Sequence, residues 1–186
     1  STNSFSKNLK FTKIIDLDKP WGSSFISNNE IIITEKSGKI KIVNIKNRNT
    51  REINHNLNFL EYGQGGLLDI IYKDGFVWIS YTEDRGNLKT STSIAKAKFN
   101  RKKIFFKNIF QANPPIDSGN HFGSRLAIKD NYIFASIGER GQGMIAQDTR
   151  SHPGSIIRIH LDGTIPIDNP KFKEKKNWLP EIYQIG

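Results

Sequence analysis

Hydrophobic and polar residues alternate in short runs along this chain, and no stretch of useful length repeats its apolar positions at helical spacing. Three runs look alike. Ser24-Phe-Ile leads through Asn28-Asn29 into Ile31-Ile-Ile-Thr34; Leu68-Asp-Ile-Ile leads through Lys73-Asp-Gly75 into Phe76-Val-Trp-Ile-Ser80; Leu126-Ala-Ile leads through Lys129-Asp-Asn131 into Tyr132-Ile-Phe-Ala-Ser136. Each predicts a β-hairpin with a polar turn. A further strand is predicted after each hairpin, at residues 39–45, 92–98 and 155–161. The last alternates cleanly, with Ile157, Ile159 and Leu161 on one face and Ile156, Arg158 and His160 on the other.

The hairpins recur about every 45 to 55 residues, the range for four-stranded propeller blades. The expected fold class is therefore all-β, a β-propeller of which this chain covers about three blades. Residues 1–186 read as one domain without an internal boundary or low-complexity linker. Three blades do not close a ring, and an open propeller leaves an apolar blade face at each end. A C-terminal fragment, a second chain or a symmetry copy is the expected partner that completes it.

Composition narrows the chemistry. With no cysteine, thiolate catalysis, thiolate metal sites and disulfides are excluded. No run approaches the roughly 20 apolar residues of a membrane helix. Ser1-Thr-Asn-Ser-Phe-Ser shows no leader pattern, so an exported protein would already have lost its signal. The net charge of +10 admits an anionic partner or a solvated lysine-rich surface. Two basic runs, one of Lys96, Lys98, Arg101, Lys102, Lys103 and Lys107 and the other of Lys171, Lys173, Lys175 and Lys176, lie on no nucleic-acid module, so no nucleic-acid partner is expected.

The chemistry-bearing residues cluster at turns. In the run Gly119–Gly141, His121 sits among small residues just before a strand, and a second Gly-rich turn follows that strand. A neutral imidazole at the mouth of a β-structure can accept a proton near neutral pH, or it can merely bond the backbone. Gln64, between Gly63 and Gly65, offers donors and an acceptor without charge, or is a polar turn residue. Asn120 adjoins the histidine, and Arg125 follows it by four positions.

Four stretches carry a family resemblance: Pro20-Trp-Gly-Ser-Ser-Phe with Ile33–Ile40; Gly63-Gln-Gly-Gly-Leu-Leu-Asp-Ile70; Asn120-His-Phe-Gly-Ser-Arg-Leu126; and Ala146–Ile159 running on to Leu161–Pro170. Together they resemble the pyrroloquinoline quinone (PQQ)-dependent glucose/sorbosone dehydrogenases, within them the soluble aldose sugar dehydrogenases, from about residue 20 to the last. The resemblance implies a six-bladed propeller with the quinone over its central channel. It implies oxidation of an aldose at the anomeric hydroxyl to a lactone, with hydride passing to the quinone and onward to an external electron acceptor. By resemblance His121 is the general base and touches the cofactor, Gln64 meets both cofactor and sugar, Asn120 meets the sugar, and Arg125 faces the cofactor or braces its turn. The family's arginine–asparagine cofactor run and its calcium ligands follow a stretch like Glu181–Gly186, so no metal ligand is expected here and this fragment alone is expected to be inactive. The family also implies a periplasmic or secreted setting. The alternative reading is a propeller module without cofactor that binds cell-wall or anionic glycans.

Other patterns read blandly. Gly138-Glu-Arg-Gly-Gln-Gly143 follows a strand as a phosphate loop would, but no helix is expected after it and no Gly-Lys-Ser/Thr is present. Asp162-Gly163 with Asp168-Asn169 lacks calcium-loop spacing and reads as turns. His152 and His160 have no partner at metal spacing. Trp21, Trp78 and Trp178 read as blade-packing residues.

Overall fold

Each of the three predicted hairpins forms, and each is the inner half of an antiparallel blade. The computed structural model describes residues 10–171 and 177–186. Lys173, Lys175 and Lys176 of the second basic run, and the N-terminal residues read for a leader, lie outside the described residues. The first blade comprises β1 (Pro20–Ser27), β2 (Glu30–Glu35), β3 (Ile40–Asn44) and β4 (Thr50–His55). The second comprises β5 (Leu67–Lys73), β6 (Phe76–Asp84), β7 (Thr90–Lys98) and, beyond the two-residue strand β8 (Lys103–Ile104), β9 (Lys107–Gln111). The third comprises β10 (Gly123–Lys129), β11 (Tyr132–Ile137), β12 (Ser155–His160) and β13 (Ile182–Ile185). β8 leaves the second blade and runs parallel to β4, which covers the outer edge of the first.

The apolar pattern explains the stacking. β6 is buried on both faces: Val77, Ile79 and Tyr81 join Ile32, Ile42 and Ile53 of the first blade, while Trp78 joins Ile133, Ile157 and Ile159 of the third. Each such isoleucine, at or near zero exposure, contributes about 1.5–3 kcal/mol of burial. The predicted face of β12 is inward as expected. The opposite face differs from a simple solvent face: Arg158 is only 8% exposed. Its guanidinium donates to Asp168 at 2.7 Å and Asn169 at 2.5 Å and lies over the rings of Tyr132 and Tyr183.

The innermost strands β1, β5 and β10 lie side by side, and each carries an extra residue near its start relative to its hairpin partner, β1 having a second between Phe25 and Ser27. The bulges fall between Pro20 and Ser23, between Leu67 and Ile70, and between Gly123 and Leu126. A bulge twists the strand and re-aims its side chains. The last residue of each sequence repeat secures it. Thr34 Oγ1 accepts from Gly22 N at 3.0 Å, Ser80 Oγ accepts from Asp69 N at 2.9 Å, and Ser136 Oγ accepts from Arg125 N at 3.2 Å. Two of these hydroxyls also reach the next blade, Thr34 donating to the carbonyl of Leu68 and Ser80 to that of Ser124. Thus the polar residue ending each hydrophobic run is a structural fastener.

The tryptophans pack as expected. Trp78 is 2% exposed and donates its indole N–H to Leu161 O at 3.0 Å; Trp178 donates to Ile182 O at 3.2 Å. His152 is buried, edge-on to Phe110, with Nδ1 accepting from Asn113 N. Asp162 accepts from Thr164 N and Oγ1, the turn chemistry its sequence implied.

Candidate active site

His121 and Gln64 occupy equivalent places in consecutive blades, each on the turn that delivers the chain into an innermost strand. The two turns interlock through glycines. Gly63 has φ +57°, and a Cβ built on it would lie 2.3 Å from Gly119 O. Gln64 N donates to that carbonyl at 2.6 Å. In return His121 N donates to Gln64 Oε1 at 2.8 Å. His121 itself holds a left-handed backbone, φ +47°, which a non-glycine residue adopts only when its surroundings impose it.

Those surroundings come from the turn after β11. Gly138 lets the two turns touch: a Cβ there would fall 1.9 Å from His121 O. The next residue, Glu139, accepts from His121 Nδ1 through Oε1. The bond to His121 is the leading cause that holds the Glu139 carboxyl below the ordinary carboxylate range; burial acts against it, and its own backbone N–H and that of Gly141 reinforce it. Arg140 follows, 2% exposed and over the Phe122 ring. Its guanidinium donates to Asn120 O at 2.9 Å, to Thr90 O at 3.1 Å, to Thr90 Oγ1 at 2.8 Å and to Ser118 O. No carboxylate pairs with it among the described residues, and burial pulls its pKa down to about 10. It stays protonated at neutral pH and clamps the turn on both sides of Gly119.

The arrangement assigns a tautomer. With Glu139 as acceptor, neutral His121 carries its proton on Nδ1 and its lone pair on Nε2. The side chain is 54% exposed, so Nε2 belongs to the open side of the site. Gln64 has spent Oε1 on His121 N, and its exposed amide NH2 makes no hydrogen bond among the described residues. A proton acceptor and a neutral donor therefore stand side by side.

The remaining predicted residues divide. Asn120 adjoins this pair with an exposed side chain that makes no hydrogen bond among the described residues. Arg125 lies lower, on the β10 bulge. Its guanidinium donates to Asp69 Oδ1 at 3.1 Å and stacks over Trp21 at 4.6 Å, while Asp69 Oδ2 accepts from Leu126 N. Arg125 thus braces the inner strands through a carboxylate, not through backbone carbonyls. Gln147 donates to Gly186 O. Glu139 and Arg140 escaped sequence reading because their segment was weighed only as a phosphate loop. That segment also carries a single 3-10 turn, Gly143–Gln147, where no helix was expected. Lys36 was missed too; its ammonium donates to Gly63 O.

The three propeller blades present an imidazole–carboxylate pair beside an amide donor. The chain belongs to the glucose/sorbosone dehydrogenase family, which it matches over residues 17–186. It is 32% identical over 180 residues to aldose sugar dehydrogenase YliI of Escherichia coli K12, spanning 91% of this chain and 48% of that protein. The crystal structure of the soluble aldose sugar dehydrogenase of E. coli in its apo form superposes with a TM-score of 0.83 at 30% identity, over 89% of this chain and 50% of that one. The PQQ-bound aldose sugar dehydrogenase of Streptomyces coelicolor shares the fold, with a TM-score of 0.75 at 21% identity over 91% of this chain and 50% of that one. The chain spans about half the length of the relatives it matches. Among the described residues no helix is long and apolar enough to cross a membrane, and no three His, Asp or Glu residues are grouped to hold a metal.

Proposed function

We propose that the protein carrying this chain is a PQQ-dependent aldose dehydrogenase that oxidises the anomeric hydroxyl of a sugar to a lactone. The observation that carries this reading is the exposed Nε2 of His121, held in its basic tautomer by Glu139 and flanked by the amide of Gln64. The residues fit the cofactor: a quinone presents oxygens, and the amide N–H of Gln64 is a neutral donor for one of them. When bound, the quinone would supply the acceptor for the hydride of the anomeric carbon. His121 Nε2 removes the hydroxyl proton in the same step, so the sugar loses two electrons and two hydrogens in all. Glu139 stabilises the imidazolium so formed. Gln64 and Asn120 orient the sugar by hydrogen bonds, and Arg125, paired with Asp69, braces the inner strands that carry the cofactor's turns.

The rest of the ring, from a continuation of the chain, a second fragment or a second copy, would supply calcium ligands and further cationic contacts. The family makes the periplasm or cell exterior the expected compartment. The test is sugar-dependent dye reduction by the PQQ-loaded protein. His121→Ala should lower it on the order of 100- to 10,000-fold. Undiminished turnover would remove the base assignment.

A further inference from the structure

The opposite end of the blades carries a second recess. Arg140 binds Thr90 at one end of β7, and Lys96 lies six residues further along, about 20 Å away. There an open cavity of about 600 Å³ runs between the second and third blades. Phe76 and Phe105 form apolar platforms, 38% and 67% exposed. Lys96, Lys98 and Lys107 stand around them. A neighbouring recess of about 340 Å³, lined by Asn131 and His160, shares Lys96, Asp162 and Thr164 with the first and extends it into a groove.

The charge of this groove is net positive, three lysines against the single carboxylate of Asp162. The ammonium groups of Lys96, Lys98 and Lys107 form no ion pair or hydrogen bond among the described residues. The Lys96 ammonium instead lies 4.8 Å from the centre of the Phe76 ring and 5.2 Å from that of Trp78. Lys103 lies over Phe105 in the same way. Asp162, the one carboxylate lining the groove, is held by the backbone and hydroxyl of Thr164. Unpaired ammonium groups beside aromatic faces bind a ligand with repeated negative charge and an apolar flank.

We propose that this groove binds a carboxylated oligosaccharide. A sugar ring lays its C–H face on Phe76 or Phe105 and its carboxylate meets Lys96 or Lys107; Asn131 offers its amide group to hydroxyls along the way. Three lysines around two adjoining recesses suit a short chain of charged units over a single small acid. The reading is independent of the chemistry at His121. It gives the first basic run, Lys96 to Lys107, a role.

The experiment is calorimetric titration of the purified protein with oligogalacturonate of four units, with maltotetraose as the neutral control and tetraglutamate as the acidic-peptide control. Saturable binding of oligogalacturonate alone is expected. Lys96→Ala with Lys107→Ala should weaken it about tenfold or more, and Phe105→Ala should weaken it severalfold. Lys39→Ala with Lys46→Ala, which removes equal charge elsewhere, should leave it unchanged. All these positions are exposed or half-buried, so folding is preserved, and an unchanged melting temperature verifies that. No binding, equal binding of maltotetraose or tetraglutamate, or equal loss in both lysine pairs would overturn the proposal. Because the readout is binding, failure of the dehydrogenase reading would leave the outcome untouched.

Discussion

The two ends of the blades treat charge in opposite ways. Toward the His121 end, charged groups are buried and fully occupied: Arg140 by carbonyls and a hydroxyl, Asp69 by Arg125 and Leu126 N, and Glu83 by Ser93, Asn108 and Gln111. Toward the Lys96 end, ammonium groups are solvated and unpaired. A buried charge in a network fixes geometry, since moving any member leaves a desolvated group without a partner. An exposed charge fixes nothing and attracts at long range. The first end is held rigid by its network, and the second leaves its cations free to meet solvent or a ligand.

The comparison can be broken most sharply at the carboxylate. Glu139→Gln keeps the volume but removes the charge facing His121 Nδ1. Turnover is expected to fall on the order of 10- to 100-fold with little change in KM, read from steady-state dye reduction. Arg140→Ala should cost about 3 kcal/mol in urea unfolding, because it strands several buried acceptors at once. Gly138→Ala forces a Cβ onto His121 O and should cost about 1–3 kcal/mol, with a larger loss of activity than of stability. Acid should act at the same place. Glu139 has a folded pKa below its ordinary value of 4.5, so its contribution is present above that value and is lost as pH falls through the lowered one. The ring chemical shifts of His121, followed by NMR as Glu139 is protonated, should register the loss of that contact. By contrast, Lys96→Ala or Lys98→Ala should shift stability by no more than about 0.5 kcal/mol.

Much of the fold was legible because its repeats are written in alternation. The inner hairpins and the third strand of each blade all carry it. The fourth strands do not: Thr50–His55 buries only Ile53, and β8 is too short to show a period. The bulges are invisible to a two-residue period, since each shifts the register by one. His121, Gln64, Asn120 and Arg125 stood out through their turns and their resemblance. Glu139 could have been found by counting. The Lys129–Tyr132 turn folds β11 back along β10, and with one residue taken up by the β10 bulge a residue eight positions before the turn meets one seven positions after it. Arg140 gave no such signal, since a guanidinium buried among carbonyls looks in sequence like any surface arginine.

The hydroxyls of Thr34 and Ser80 act like the teeth of a rack. Each engages its own bulge and the bulge of the following blade, so neighbouring blades cannot slip along the channel axis without stripping both contacts. The height of His121 relative to Gln64 is therefore gauged by Ser80, a small side chain that touches neither, and a protein that kept both site residues but lost it would hold its imidazole and its amide out of step.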